Sequence, residues 1–195
     1  LYSWKLANLQ SQTSELKWTF DVVGQLQDFL LFYRINDKML VAGDGREIKL
    51  FPPYVEFAPS MFAGFRSNIY FLDKDRGQIV KYEFLNLPQI IPTIWTTQPD
   101  RQRLSQAVSV AIDGSVWVLD KSGGVHRYWG GSWQETLDVV LWPKLSRPTK
   151  IFTSSLLPYL YILEPAQKRI VVLDKKGNPV KQYMSDKFND LKDFT

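Results

Sequence analysis

One phrase recurs along the chain. Residues 68–84 read NIYFLDKDRGQIVKYEF, 115–129 read SVWVLDKSGGVHRYW and 159–173 read YLYILEPAQKRIVVL, with a weaker copy, KMLVAGDGREIKLF, at 38–51. Each copy is an apolar run, a carboxylate at or near its end, a short polar turn with glycine or a basic residue, and a second, alternating run. Period-two alternation puts successive side chains on opposite faces of a strand, and the polar turn reverses the chain, so each copy predicts a β-hairpin. Aligned on Asp73, Asp120 and Glu164, the copies recur about every 44 to 47 residues, which falls in the roughly 40–50 residue spacing of propeller blades.

The strands between these hairpins complete the pattern. Residues 107–112, 115–119, 125–129 and 133–140 read as four strands joined by the turns at Asp113-Gly114, Asp120 to Gly124 and Gly130-Gly131. The same plan fits 149–153, 159–163, 170–173 and 180–183, and also 61–65, 69–72, 79–84 and 93–97. A first, less regular blade reads as 29–33, 39–42 and 48–51, with 54–57 as a short outer strand hemmed by Pro52, Pro53 and Pro59. At the ends, 18–23 resembles an outer strand with 2–6 as its hairpin partner, and 188–195 resembles the approach to an inner strand. The expectation is therefore an all-β β-propeller of four-stranded antiparallel blades, four to five in number, with strands from both ends sharing one sheet. That shared blade lacks a strand, so the reading includes an imperfect closure or a truncated, partial propeller, and a rival count gives four blades. Residues 1–195 are read as a single propeller domain or propeller fragment.

Composition agrees with a β class. Seven Trp, nine Tyr and twelve Phe suit pleated, half-buried surfaces, and 45% hydrophobic with 23% charged residues is ordinary for a folded domain. The net charge of +4 comes from scattered Lys and Arg, with no run of five or more like charges, so no nucleic-acid partner is expected. Zero cysteines excludes disulfides and thiolate chemistry, which fits a cytosolic or a bacterial extracytoplasmic setting. No apolar stretch reaches the roughly 18 residues of a membrane span, so direct membrane insertion of this segment is not expected.

An apolar strand ending in Asp, a short turn, then I-V-x-Y or R-I-V-V-L resembles the NHL and TolB-like class of β-propeller repeats. Asp73 to Tyr82, Asp120 to Tyr128 and Glu164 to Leu173 carry the likeness, with Glu164 where the pattern prefers Asp. Residues 148–195 are similar to propeller regions of uncharacterised bacterial multidomain proteins, some of which place the propeller after a phosphatase-like domain and a membrane helix. The resemblance implies a non-enzymatic scaffold that binds a protein partner or surface ligand. It also implies an extracytoplasmic location within a larger membrane-anchored protein.

Chemical motifs offer little beyond this. A lone histidine, His126, excludes HExxH and two-histidine sites, and it reads as an ordinary strand residue. Ser115 and Ser132 sit in hairpin turns and not in GxSxG. The run Asp73 to Gly77 resembles the opening of a calcium loop, yet its twelfth position is Phe84 where a bidentate Glu is needed. No metal site and no cofactor is expected. Asp44, Asp73, Asp120 and Glu164 read as carboxylates that accept turn amides. Two sets of residues are candidates for function. Asp28, Arg66, Gln106, Asp113 and Lys150 are expected near the central axis, on loops at one face, as ligand-binding groups. Trp95, Trp129, Trp133 and Trp142 are expected to form an interaction surface, packing between blades being the structural alternative. The competing functional class is a carbohydrate-active propeller, a glycoside hydrolase or sugar-binding module, using carboxylates near the axis.

Overall fold

The repeats fold as antiparallel meanders whose order in space is their order in sequence. The computed structural model describes residues 59–83 and 92–191, together with the strands at 2–4, 11–13, 22–26, 29–34, 39–42 and 47–49. Strands β1 (Tyr2–Trp4) and β2 (Ser11–Thr13) form a two-stranded ribbon. The first four-stranded sheet contains β3 (Val22–Leu26), β4 (Phe29–Arg34), β5 (Met39–Ala42) and β6 (Glu47–Lys49). The second contains β7 (Met61–Phe65), β8 (Asn68–Asp73), β9 (Gln78–Glu83) and β10 (Pro92–Ile94). Strands β11 (Ala107–Ile112), β12 (Val116–Asp120), β13 (Val125–Trp129) and β14 (Ser132–Thr136) form the third. The fourth is built from β15 (Lys150–Phe152), β16 (Tyr159–Glu164), β17 (Arg169–Asp174) and β18 (Pro179–Met184). The first strands of the sheets, β3, β7, β11 and β15, lie beside one another in that order, so the sheets are blades arranged around an axis.

Alternation along each middle strand explains why blades stack. In β12, Val116 and Val118 face the second blade, in a core with Tyr70, Leu72, Ile79 and Tyr128. Trp117 and Leu119, one residue out of phase, face the fourth blade, in a core with Ile151, Leu160, Ile162, Val171 and Leu173. A strand buried on both faces needs bulky apolar residues at every position, which is what VWVL supplies. The same logic in β8 gives Phe71 to the first blade, where its ring lies 5.0 Å from Tyr33, 5.1 Å from Phe62 and 5.5 Å from Tyr82. Short turns then tie each blade to the one before it. Gly131, at φ +82°, sits so close to the second blade that a Cβ there would lie 2.1 Å from the Trp95 carbonyl oxygen.

The expected hairpin at 115–129 is present, with Val116 opposite Tyr128 and Leu119 opposite Val125. The first blade differs from the sequence reading by one strand. Its innermost strand is Val22–Leu26, paired with Phe29–Arg34, and its outermost is Glu47–Lys49; the expected outer strand at 54–57 lies outside the described residues. Gly24 and Gln25 interrupt the apolar run of VVGQL, so the sequence pattern began the blade at the continuous run FLLFYR. Residues 22 and 23, expected within an outer strand at 18–23, therefore belong to an inner one. Tyr2–Trp4 pairs with Ser11–Thr13, while Val22 and Val23 of the expected partner pair with Tyr33 and Phe32. The outer strand of the third blade ends at Thr136, short of the expected 140, and the segment expected to approach an inner strand begins as a 3-10 helix at Asp186–Asp190. Residues 18–21 and 192–195 lie outside the described residues, and with them the expected meeting of the two ends.

Candidate functional site

In each blade the first strand runs from an entry end to an exit end. Register fixes what lies at each: Met61 opposite Leu72, Ala107 opposite Asp120 and Lys150 opposite Leu163 put the second-to-third-strand turns at the entry end, beside the loops arriving from the previous blade. The first-to-second-strand turns at 66–67, 113–115 and 153–158 lie at the exit end. The expected axial group is thus divided. Arg66 and Asp113 are at the exit end, Gln106 and Lys150 at the entry end, and Asp28 lies outside the described residues.

Of the carboxylates of the repeated phrase, Asp44 lies outside the described residues and the other three hold structure. Asp73, 1% exposed, accepts the Arg76 amide at 3.0 Å. Asp120 accepts the Ser122 amide and hydroxyl at 2.7 Å each, the Gly124 amide at 2.9 Å and His126 Nε2–H at 3.0 Å. Burial opposes its ionisation, but these hydrogen bonds outweigh burial and hold its carboxyl below the usual carboxylate range. The other His126 nitrogen, Nδ1, lies 2.8 Å from Thr136 Oγ1, so the buried imidazole is held at both ends across the third and fourth strands of its blade.

Glu164 departs from the expected role. From its own turn it accepts only the Gln167 side-chain amide, at 3.3 Å; it reaches back to the loop that enters the fourth blade, accepting the Ser146 backbone amide at 2.8 Å and the Arg147 backbone amide at 3.1 Å. Its other oxygen receives Arg169 Nε–H at 2.8 Å. Burial again opposes ionisation, and the two amides together with Arg169 prevail, depressing the carboxyl. Arg169, 1% exposed, uses its remaining donors on Gln182 Oε1 at 2.8 Å and the Pro143 carbonyl at 2.8 Å. Sequence reasoning missed this pair. The available signal was an arginine at the head of an apolar strand, five residues after a glutamate, where charge is out of place without a partner.

The exit end carries the most open constellation. Asp113 accepts the Ser115 amide at 3.0 Å and Trp117 Nε1–H at 2.9 Å, and it pairs with Lys175 from the fourth blade, whose ammonium also donates to Thr153. Beside it, Gly114 at φ +123° lies in a cleft between two rings: a Cβ there would be 3.7 Å from Trp129 Cζ3 and 3.9 Å from Phe65 Cζ. The Trp129 ring is 57% exposed. Arg66 lies over Phe65 at 5.4 Å and holds φ +53°, a left-handed backbone that costs a non-glycine residue about 1 kcal/mol or more. Nearby in sequence, Asn68 Oδ1 is buried with no hydrogen-bond partner. An open aromatic shelf beside an exposed cation can hold an apolar side chain together with a hydrogen-bond acceptor.

The four tryptophans do not share one setting. Trp95 stands edge-on to Tyr70 at 5.6 Å and belongs to the packing between blades. Trp129 is on the exit-end shelf, Trp133 lies under the Arg103 guanidinium at 3.9 Å, and Trp142 projects from the loop between the third and fourth blades, 86% exposed.

No family model matches the chain, and no curated protein sequence matches it significantly. Solved structures do. Apo AztD from Citrobacter koseri superimposes with a TM-score of 0.54 at 14% identity, over 86% of this chain and 47% of that one. Virginiamycin B lyase from Staphylococcus aureus gives 0.56 at 13%, over 86% and 56%, and YCF48 bound to D1 peptide gives 0.54 at 10%, over 89% and 56%. The chain spans about half the length of these structures. The likeness is one of fold, and with the blade order above it defines the class: a β-propeller of four-stranded antiparallel blades.

Proposed function

We propose that this propeller is a non-enzymatic scaffold whose exit end binds an extended segment of a partner protein. The observation that carries the reading is the shelf formed by Trp129 and Phe65 over Gly114, flanked by Arg66 in a left-handed backbone. An aliphatic or aromatic side chain stacks on the rings, and a carbonyl or carboxylate of the same segment meets the exposed Arg66 guanidinium. Exposed tryptophan beside arginine is the composition favoured at contact hot spots. The propeller fold accommodates such a role, since the structurally similar YCF48 is bound to a peptide.

The carbohydrate-active reading has less support. It needs carboxylates free to exchange protons near the axis, whereas Asp113, Asp120 and Glu164 are each tied to a cation, turn amides or both. The test is selection of displayed peptides on the purified protein, followed by calorimetry of a selected peptide against wild type, Trp129→Ala and Arg66→Ala. Binding that falls roughly 30-fold or more in Trp129→Ala supports the reading. Retention of oligosaccharides but no peptide, or peptide binding indifferent to both substitutions, overturns it.

A further inference from the structure

The entry end carries a second surface, built differently. Consecutive contacts join its turns and loops into one belt. The Asp100 amide donates to the Gly77 carbonyl at 2.7 Å, and the Lys121 amide to the Gln106 carbonyl at 3.0 Å. Gly123 packs on Leu145 so tightly that a Cβ would lie 2.5 Å from the Leu145 Cβ, and Glu164 takes the Ser146 and Arg147 amides. The belt thus crosses the ends of the second, third and fourth blades.

Its unpaired charge is mainly positive. Arg101, Lys121, Lys144 and Arg147 are exposed and form no ion pair among the described residues. The carboxylates nearest them are occupied: Asp100 by Arg103 and the Tyr128 hydroxyl, Asp120 by its turn and His126, Glu164 by Arg169. The exposed acids at this end, among the described residues, are Asp75, Asp138, Asp186 and Asp190, and Asp186 is paired with Lys168. Beside the cations, Val140 is 76% and Trp142 86% exposed. The segment that presents them is anchored from beneath, because Arg169 Nη2 donates to the Pro143 carbonyl at 2.8 Å and Gln167 Nε2 to the Lys144 carbonyl at 3.1 Å. A fixed apolar anchor beside spread, unpaired cations presents little ordering cost to a ligand of opposite charge.

We infer that the entry-end belt is a docking surface for an acidic protein segment bearing one large apolar residue, which seats on Trp142 and Val140 while its carboxylates meet Lys121, Lys144 and Arg147. Charge complementarity selects this occupant. The cations are strung from the loop entering the third blade to the loop entering the fourth, matching an extended chain better than a single headgroup, and one isolated indole beside an aliphatic residue suits a side-chain anchor better than a ladder of stacked bases. This surface is separate from the exit-end shelf and stands or falls independently of it.

The test is fluorescence anisotropy of the full chain with a labelled synthetic peptide of alternating Glu-Glu-Leu triplets, against the same peptide with Lys for Glu. Phosphatidylserine vesicles and a single-stranded oligonucleotide serve as parallel probes. The expected result is saturable binding of the acidic peptide that weakens with salt, falls about tenfold or more in Trp142→Ala, and is abolished in the charge reversal Lys144→Glu with Arg147→Glu. All three substituted side chains are exposed, so circular dichroism should match wild type. Trp129→Ala should leave this binding intact, which separates it from the exit-end reading. Equal binding of the Lys peptide, indifference to the substitutions, or binding of vesicles or oligonucleotide without the acidic peptide would overturn the inference.

Discussion

Glu164→Ala should be among the most damaging single substitutions in this protein. Glu164 is fully buried and Arg169 is 1% exposed, and they meet at 2.7 Å. Removing the carboxylate leaves a buried guanidinium without its counter-charge, a loss of about 3–5 kcal/mol where such pairs have been broken. The Ser146 and Arg147 amides lose their acceptor at the same time, so the loop entering the fourth blade is loosened as well. Against a total stability of about 5–15 kcal/mol, that is a large share. Urea unfolding followed by tryptophan fluorescence reads the loss as a lower midpoint. Glu164→Leu combined with Arg169→Met removes both charges and should recover part of it, though the two loop amides stay unpaired. A single substitution costing less than about 1 kcal/mol, or a double variant worse than Glu164→Ala, would refute the reasoning. The pH dependence has a definite sign. Because the folded carboxyl is depressed, the unfolded chain binds the proton more readily. The contribution is therefore complete above the ordinary Glu value of about 4.3 and is lost as pH falls through the folded value. Glu164→Gln should flatten that acid limb.

Four further outcomes follow from the packing and the surface. Trp117→Ala should cost about 3–5 kcal/mol in the same urea assay, since the ring fills the core between the third and fourth blades at 2% exposure. Gly131→Ala should lower the thermal midpoint, because both its φ of +82° and the Trp95 carbonyl exclude a Cβ. Asp120→Ala should cost about 1–3 kcal/mol by orphaning the turn amides and His126, read again by urea unfolding, and its acid limb should flatten as for Glu164. Arg66→Gly should leave stability within about 1 kcal/mol, relief of the left-handed backbone offsetting the added chain entropy, while peptide binding at the exit end falls.

What the sequence made legible was periodic and local. The hairpin at 115–129 was readable because its alternation and its Asp-to-Gly turn agree. The strand VVGQL was not, since Gly24 and Gln25 mask the alternation that pairing with Phe29–Arg34 imposes. Period-two patterns say which residues share a face but not which neighbour that face meets. Trp129 and Trp142 were therefore visible as candidates, while the meeting of Trp129 with Phe65 over Gly114 was not. The sequence grouped Arg66 and Asp113 with Gln106 and Lys150, which lie at opposite ends, for a related reason: strand direction decides the end at which a turn lies, Arg66 and Asp113 following β7 and β11 while Gln106 precedes β11 and Lys150 opens β15. Glu164 was read as a turn carboxylate because its copies in the repeat are; its longer side chain and the arginine five residues on send it to a different loop.

The claim that this propeller works through its exit-end shelf is tested most directly by calorimetry with a peptide selected on the wild-type protein. Trp129→Ala should weaken that peptide roughly 30-fold or more with the unfolding midpoint nearly unchanged, since the ring is 57% exposed. Undiminished affinity in Trp129→Ala, or affinity lost only together with the fold, would contradict it.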